Sequence, residues 1–425
     1  MPSKKNIIPV IFSLLAYNKN DRRSRKKMFV CFSMNKGGIN LKLKKVLPIL
    51  FMIMFLVMVG FGIIIPVLPF YAEELGASPT ELGLLMAVYS FMQFLFAPMW
   101  GRISDRYGRK PVILVGIFGL SLSFFLMALS TQVWMLFAAR IIGGALSAAN
   151  MPTVMAYVAD ITTEEDRSKG MGIIGAATGL GFIFGPAIGG VFTNINLHAP
   201  FYIAGTLSFL TLLFVMFFLK ESLHYSEAGK AGRDKKQPFR KAIAGPFALL
   251  YFLQFFITLS LAGLEATFAY FAAAKAGLDA VKLGYIFMIM GLASAAVQGN
   301  MGKLTKKFGE VRIIQSGIII SAIGFALILF TQNFITAAIF LAIFGVGNGV
   351  IRPSISSLLT KKSRAGYGRT TGYLSSFDSL GRIIGPVLGG VLYSIAIELP
   401  YISGIILSIA AFSLVKGAAR GRMST

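Results

Sequence analysis

The chain has 425 residues, of which 56% are hydrophobic and 14% are charged, and its formal net charge is +24 at pH 7. Soluble domains carry about 25% charged residues, so this composition excludes an ordinary soluble protein and indicates one that crosses a membrane. The single cysteine, Cys31, excludes an internal disulfide and a paired-thiol metal site.

The first element in chain order is a basic segment, residues 1–45, which holds 12 of the 41 lysines and arginines. Its apolar stretch from Ile7 to Ala16 is too short to span a membrane, and no small-residue cleavage site follows it. We therefore predict a disordered N-terminal extension, with a more ordinary start at Met34. The alternative is a juxtamembrane anchor for anionic lipid.

Twelve apolar runs follow, each long enough to cross a hydrocarbon core of about 30 Å. Because lipid offers no hydrogen bonds to the backbone, the runs are predicted to be helices. They cover residues 46–71, 81–100, 111–130, 134–159, 170–193, 200–219, 244–272, 282–301, 313–331, 334–360, 369–393 and 399–416.

The basic residues are distributed unevenly among the loops that join these runs. With residues 1–45 inside the cell, the external loops hold only Lys275 and Lys282. This positive-inside pattern predicts that both termini are cytosolic. Because the charge follows the topology, we expect no nucleic-acid partner.

The sequence repeats itself in three places with the same spacing. Gly101–Lys110 recurs as Gly302–Arg312, Met151-Pro152 as Arg352-Pro353, and Gly185–Gly190 as Gly385–Gly390, with offsets of 201, 201 and 200 residues. Matched motifs in two sets of six runs predict parallel repeats with a ligand site between them. The predicted domains are residues 46–219 and 244–416, a cytosolic linker at 220–243 and a tail at 417–425.

Charged residues inside the runs are the candidates for coupling. Glu265 lies in the middle of the seventh run with no Lys or Arg within four positions. Charge inside a membrane is costly and marks function, and this carboxyl could carry either a proton or a cationic substrate, but not both. The alternative is a structural salt bridge to an arginine of another run. Arg352, Asp378 and Arg382 are predicted to form a buried triad, either static or moving.

These features together resemble the major facilitator superfamily over about residues 40–420. The finer motifs are similar to signatures of bacterial drug:proton antiporters, and Ala156–Thr162 with Arg352-Pro353 resembles the quinolone and multidrug exporters of Gram-positive bacteria. The motifs are Gly60-x-Gly62-x-x-x-Pro66-x-x-Pro69, Arg140-x-x-Gly143-Gly144 and Gly181-x-x-x-Gly185-Pro186-x-x-Gly189-Gly190.

The resemblance implies an all-α bundle of 12 transmembrane helices, built as two parallel six-helix repeats around a central cavity. It implies a proton-relay role for Arg140. It also implies a charge network that closes the cytosolic side in the outward-facing state, in which Asp105 contacts the first residues of the eleventh run. The alternative is a charge cluster that fixes topology only. The gate residues are Gly101, Asp105, Arg106, Gly108, Arg109 and Asp160, and the hinge residues are Gly181, Gly185, Pro186, Gly189 and Gly190.

The candidate substrate wall is aromatic and suits planar or cationic ligands. Its residues are Tyr89, Gln93, Phe96, Phe182, Phe268, Phe271, Asn348, Tyr373 and Phe377. The sequence departs from related exporters at Asn348-Gly349, where they often carry a second acid, which puts a two-carboxylate mechanism in doubt.

We expect a proton-coupled antiporter that exports amphipathic drugs or other small molecules by alternating access. It would be a monomer in the bacterial cell membrane, driven by the proton gradient without a metal or cofactor. An enzyme is not expected, because no phosphate-cradling loop, zinc spacing or nucleophile–base pair occurs in the sequence. The alternatives are transport of a native solute, such as a sugar or metabolite, and a non-transporting membrane sensor or scaffold.

Overall fold

A computed structural model describes residues 22–222, 247–362 and 367–421, which form fourteen helices and no strand. The first half comprises α1 (Arg22–Glu74), α2 (Pro79–Tyr107), α3 (Arg109–Ala128), α4 (Val133–Ser147), α5 (Asn150–Ile161), α6 (Glu164–Phe192) and α7 (Ala199–Phe218). The second half comprises α8 (Ala248–Ala276), α9 (Ala280–Gln298), α10 (Met301–Phe308), α11 (Glu310–Ile328), α12 (Phe334–Lys362), α13 (Tyr367–Ile395) and α14 (Leu399–Gly421).

Over the residues that the structure describes, each of the twelve apolar runs lies largely in helix, as predicted. In the described part of the chain, ten helical stretches are long and apolar enough to cross a membrane, and Leu399–Val415 is a shorter apolar one. Tyr367–Ile395 is equally long but carries Asp378 and Arg382 in its middle. The fourth run is two helices rather than one, because Pro152 lacks an N–H group and its ring crowds the carbonyl of Ala148.

The ends of the predicted domains differ from the helix bounds. α1 begins at Arg22, inside the predicted extension at residues 1–45, because the Lys, Arg, Met and Leu residues that lead into the first span favour helix. α14 continues to Gly421, into the predicted tail at 417–425. Residues 1–21, most of the predicted linker (223–243) and the last residues of the tail lie outside the described residues.

The repeat seen in the sequence recurs in the turns. Gly76 and Gly277 end α1 and α8 with φ of 85° and 60°, and Gly108 and Gly309 separate α2 from α3 and α10 from α11 with φ of 111° and 78°. Positive φ of this kind favours glycine. We call the end of the bundle that carries the Gly108 and Gly309 turns the basic face, and the opposite end, with Gly76 and Gly277, the closed face.

The two halves touch at the closed face through two symmetric helix crossings. α2 packs on α13, and α9 packs on α6. Gly83 lies directly against the carbonyl of Pro386, and Gly284 lies against the carbonyl of Pro186, so that a Cβ atom at either glycine would collide with backbone. Small residues allow such close approach of membrane helices.

Polar contacts add to the closed face. The hydroxyl oxygens of Thr80 and Ser394 are 3.1 Å apart across the two halves. Within the second half, Lys275 and Glu398 form an exposed ion pair at 2.9 Å, and the hydrogen bond from Lys275 holds the pKa of the Glu398 carboxyl below its usual range. The closed face therefore joins the halves by both backbone packing and side-chain contacts.

Candidate functional site

A cavity of about 360 Å³ lies between the halves, on the side of the closed-face contacts that leads to the basic face. α1 and α6 supply one wall, and α8, α9, α12 and α13 supply the other. Its lining includes Met58, Thr178, Phe182, Gln254, Thr258, Glu265, Met290, Ser294, Gln298, Asn348, Arg352, Asp378 and Arg382. Both halves therefore contribute to one chamber, as the repeat predicts.

Four charged side chains form a cluster on the second-half wall. Arg382 lies between two acids: its Nη1 is 3.9 Å from Oε2 of Glu265, and its Nε is 3.5 Å from Oδ2 of Asp378. Nη2 of Arg352 is 3.7 Å from the same Asp378 oxygen. The predicted contacts among Arg352, Asp378 and Arg382 are present, but Arg352 is 56% exposed, so the triad is only partly buried. Glu265 joins it through Arg382, which matches the cross-helix salt bridge considered as an alternative.

The two acids of this cluster are held very differently. Asp378 accepts hydrogen bonds from Thr258 at 2.8 Å and from Gln254 at 2.9 Å, in addition to its two arginines. The Glu265 side chain is 3% exposed and has one ion-pair contact, with Arg382 at 3.9 Å. Its Oε1 is buried without a hydrogen-bond partner among the described residues. Glu265 is thus the loosely held acid of the cluster.

Arg140 lies apart from this cluster, in the first half. It is 3% exposed, its Nε donates to the carbonyl of Leu85 at 3.3 Å, and its guanidinium lies 4.3 Å from the centroid of the Tyr89 ring. Within the described residues it has no ion pair with an acid. Arg140 therefore does not contact Glu265 in this conformation, because the Tyr89 ring and the Leu85 carbonyl hold it within the first half.

Of the predicted substrate residues, Phe182 and Asn348 line the cavity. Phe182 stacks on Phe61, with ring centroids 6.3 Å apart, and Phe61 in turn contacts Tyr89 at 5.9 Å. The Tyr89 hydroxyl is 2.8 Å from Oγ of Ser147 and accepts from Gln93 at 3.2 Å. Phe61 was not among the predicted residues, although its position between Gly60 and Gly62 of a recognised motif could have indicated it.

The other predicted aromatic residues do not line this cavity. Phe268 and Phe271 are fully buried beside Phe287 and Tyr401, with centroids 5.8 and 4.5 Å apart. They follow Glu265 toward the closed face, where both side chains belong to the hydrophobic core of the second half. Tyr373 and Phe377 pack against Tyr251 on α8, and Phe96 is partly buried on α2.

The predicted gate residues form a network within the first half. Arg109 donates from Nε to Asp160 at 2.9 Å and from Nη1 to Asp105 at 2.5 Å. Asp105 itself is 58% exposed, and among the described residues its only recorded partner is Arg109. Arg106 lies over the ring of Tyr107, at 5.4 Å from its centroid. Gly101 has open space around it, and a Cβ at Gly108 would lie 2.6 Å from Glu221.

Glu221 is a member of this network that the sequence did not reveal. Its two carboxylate oxygens accept from the backbone N–H groups of Arg109 and Lys110, at 2.8 and 3.0 Å, at the start of α3. Next to it, Oγ of Ser222 donates to Asp160 at 3.0 Å. A carboxylate suits the positive end of a helix dipole, so the chain beyond α7 is fixed to the gate network.

The predicted hinge glycines form a ladder against α1. A Cβ at Gly181, Gly185 or Gly189 would lie within 2.7 Å of a backbone carbonyl oxygen of α1, namely that of Phe55, Val59 or Ile63. Pro186 and Gly190 face α9 instead, across the two halves. The motif therefore lets α6 approach two helices at once, one in each half.

No group of three or more metal-binding side chains occurs in the described part of the chain. Among the groups that line the cavity, Oε1 of Glu265 and Oε1 of Gln254 are buried without a hydrogen-bond partner in the part of the chain that the structure describes.

The sequence matches the family profile of the Major Facilitator Superfamily over residues 50–367 and 250–420. The chain belongs to this superfamily. It is similar to Multidrug resistance protein 2 of Bacillus subtilis (strain 168), with 33% identity over 373 residues, covering 86% of this chain and 93% of that protein. It is 28% identical over 376 residues to Quinolone resistance protein NorA of Staphylococcus aureus (strain MSSA476), covering 88% and 96% of the two chains.

Solved structures show the same fold. A bacterial homolog of the human lysosomal transporter Spinster, in an inward-facing and occupied conformation, aligns with a TM-score of 0.76 at 15% identity, covering 89% of this chain and 97% of that one. The human organic anion transporter MFSD10 aligns at 0.65 with 24% identity, covering 88% and 99%. The predicted fold is confirmed: the chain is a multi-pass bacterial membrane transporter of a small molecule, in the major facilitator class.

Proposed function

We propose that this transporter is a proton-coupled antiporter that exports amphipathic drugs. The observation that carries the proposal is the loosely held Glu265 in the wall of a chamber shared by both halves. A carboxylate there can bind a cationic substrate or accept a proton, but a protonated carboxyl no longer attracts the cation. This exclusion exchanges one for the other. The drug-resistance relatives of Bacillus and Staphylococcus support the direction of transport.

The charges around Glu265 determine how the cluster of Arg352, Asp378 and Arg382 is balanced when Glu265 gains or loses its proton. When Glu265 is protonated, Arg382 keeps Asp378 as its partner at 3.5 Å. When Glu265 is ionised, it balances Arg382, or the charge of a bound substrate. Asp378, Arg352 and Arg382 thus supply a fixed electrostatic background, and Glu265 carries the exchangeable proton. Arg140 would act in the first half, through Tyr89, rather than beside Glu265.

The positive-inside pattern assigns the basic face to the cytosol, together with both termini. The chamber then opens toward the cytosol while the closed face seals the exterior. In the opposite state, the gate residues Asp105, Arg106 and Arg109 would meet the start of α13 and close the cytosolic side. The proton gradient drives the cycle without a cofactor, and a single chain contains the whole chamber.

The chamber also fits an amphipathic substrate chemically. Phe182 and Met290 offer an aromatic and a polarizable surface. Ser294, Gln298 and Asn348 add hydrogen-bonding groups on the second-half wall, which also carries Met290. These polar groups are the observation that favours the second candidate, transport of a native polar solute such as a sugar or metabolite.

The test is efflux of a cationic dye from cells that express the protein, with and without a proton uncoupler. Dye export that stops when the uncoupler is added supports the proposal. Export that persists would reject proton coupling. If no amphipathic cation is exported, but a sugar or metabolite competes for the chamber, the second candidate replaces the first.

A further inference from the structure

The two halves differ in charge at the basic face. In the first half, Arg109 is neutralised by Asp105 and Asp160. In the second half, lysines stand at the positions equivalent to Asp105 and Arg106. The exposed cations of the second half at this face are Lys303, Lys306, Lys307 and Arg312. None of them has an ion-pair partner within the residues that the structure describes. The nearby acid, Glu310, accepts from Ser357 of α12 at 3.1 Å.

A groove of about 370 Å³ lies beside these cations on the outer side of the second half. Its wall is apolar except for Arg312 and Ser316, and consists of Val297, Leu304, Phe308, Arg312, Ile313, Ser316, Ile320, Val346 and Val350. From Arg312 to Ile320 the groove follows nine residues of α11, whose Cα atoms span about 12 Å along the helix axis. That length extends from the basic face well into the hydrocarbon layer of a bilayer.

The short helix α10 places charge at the mouth of this groove. Leu304 and Phe308, one turn apart, contribute to the groove wall, whereas the three lysines of α10 are exposed. Nζ of Lys307 lies 5.2 Å from the centroid of the Phe308 ring, so that this cation stands next to a wall residue. Arg312 is itself part of the wall. Two cations therefore flank one end of an apolar channel.

We propose that this groove binds an anionic phospholipid of the surrounding bilayer. Its phosphate lies between Arg312 and Lys307, and one acyl chain fills the groove toward Ile320. Charge complementarity selects the occupant, because basic pockets between membrane helices attract anionic headgroups. In the corresponding loop of the first half, Arg109 is instead paired with Asp105 and Asp160. This lipid site is separate from the transport chamber, and lipid binding there requires neither substrate nor a proton gradient.

The test is native mass spectrometry of the full chain in detergent, with equal amounts of phosphatidylglycerol and phosphatidylcholine that carry the same acyl chains. We expect retention of phosphatidylglycerol over phosphatidylcholine. The double variant Arg312→Gln/Lys307→Gln should bind phosphatidylglycerol about twenty-five-fold more weakly, at about fivefold for each cation. The matched control is Lys303→Gln/Lys306→Gln, which removes the same charge from the same face and should lose little.

A second variant tests the groove without changing charge. Ser316→Phe places a ring in the channel and should also lose the phosphatidylglycerol preference. The proposal is overturned if the wild type retains both lipids equally, if the two double variants lose retention equally, or if Ser316→Phe retains the lipid fully. Dimers that disappear in the groove variants would likewise overturn it, and would assign the groove to a second copy of the chain.

Discussion

Glu265 and Asp378 face the same arginine, yet their surroundings assign them different tasks. Asp378 has two hydrogen bonds and two arginines, whereas Glu265 has Arg382 alone at 3.9 Å. A group that must release and regain a proton in each cycle cannot be bound by many partners in one state. Asp378 therefore serves as the fixed anchor, and Glu265 serves as the exchanging group.

This difference predicts opposite effects on stability. Asp378→Asn leaves Arg382 with a single distant acid and should destabilise the protein by about 3 kcal/mol, because breaking a buried ion pair strands a charge. Glu265→Gln leaves Arg382 its closer partner and should cost less than about 1 kcal/mol. Thermal unfolding of the purified variants in one detergent measures both. Equal losses would show that Glu265 is as structural as Asp378.

A second prediction at this scale concerns Glu221. Glu221→Ala removes the acceptors for two N–H groups at the start of α3 and should cost about 1 kcal/mol, as the loss of a helix cap does. The control is Glu74→Ala at the exposed end of α1, which should be nearly neutral. A neutral result for Glu221→Ala, measured by the same thermal unfolding, would show that the cap is replaced by water.

Some residues of the site could be predicted from the sequence, and others could not. Glu265 was evident from the sequence, because an isolated acid in a long apolar run is costly unless it has a function. Glu221 was not, because it meets Arg109 and Lys110 across 112 and 111 residues of chain and no local pattern announces such a contact. Phe268 and Phe271 were expected in the chamber because aromatic composition does not distinguish a cavity wall from a tightly packed core.

At the scale of the helices, the two symmetric crossings at the closed face act as paired contacts that must separate for the exterior to open. Gly83 on α2 and Gly284 on α9 occupy equivalent positions, each against a proline carbonyl of the other half. The same contact is therefore made twice, once for each repeat. Neither crossing leaves room for a methyl group.

Gly83→Ala and Gly284→Ala should each shift the protein away from this conformation, because the added Cβ collides with backbone only while the closed face is shut. The measurement is cross-linking of Thr80→Cys with Ser394→Cys, whose native hydroxyl oxygens are 3.1 Å apart, in a Cys31→Ser background. Cross-linking should fall several-fold in either glycine variant.

Gly172→Ala is the matched control, since that glycine has open space around it. It should leave the cross-linking yield unchanged. A yield that is also unchanged in both Gly83→Ala and Gly284→Ala would mean that the crossings do not limit opening.

The helices themselves were predictable because apolar runs and lipid leave the backbone no other choice. The pairing of α2 with α13 and of α6 with α9 was not predictable from the runs alone. It depends on glycines, such as Gly83 and Gly284, whose close contacts are seen only once the two halves are packed together. The break between α4 and α5 could not be predicted from a proline alone, because Pro353, at the position equivalent to Pro152, lies in a continuous helix.

At the scale of the whole molecule, the two halves are in contact at the closed face and are separated by the chamber on the side of the basic face. Asp105 is more than half exposed and bonds only within its own half, among the described residues. If its partner in the opposite state is the start of α13, the interaction stabilises the state that is closed at the basic face. The present conformation is then the one that lacks it.

Asp105→Asn should accordingly favour the present conformation, since an anion at a helix start is worth about 0.3–2 kcal/mol. Labelling of a cysteine introduced as Gln298→Cys, in the chamber wall near the basic face, should increase up to several-fold. Arg102→Gln, an exposed cation on the same helix, is the control. Unchanged labelling with unchanged transport would leave the loop as a topology signal only.

The central claim is that Glu265 exchanges a proton for the substrate, and uphill transport in proteoliposomes tests it most directly. A proton gradient should drive the wild type to accumulate a cationic dye, with a rate that depends on pH in the neutral range. The Glu265→Gln variant, folded and inserted to the same extent, should lose uphill transport and the pH dependence of dye binding. Uphill transport by this variant with the wild-type pH dependence would contradict the account and move the exchange to Asp378.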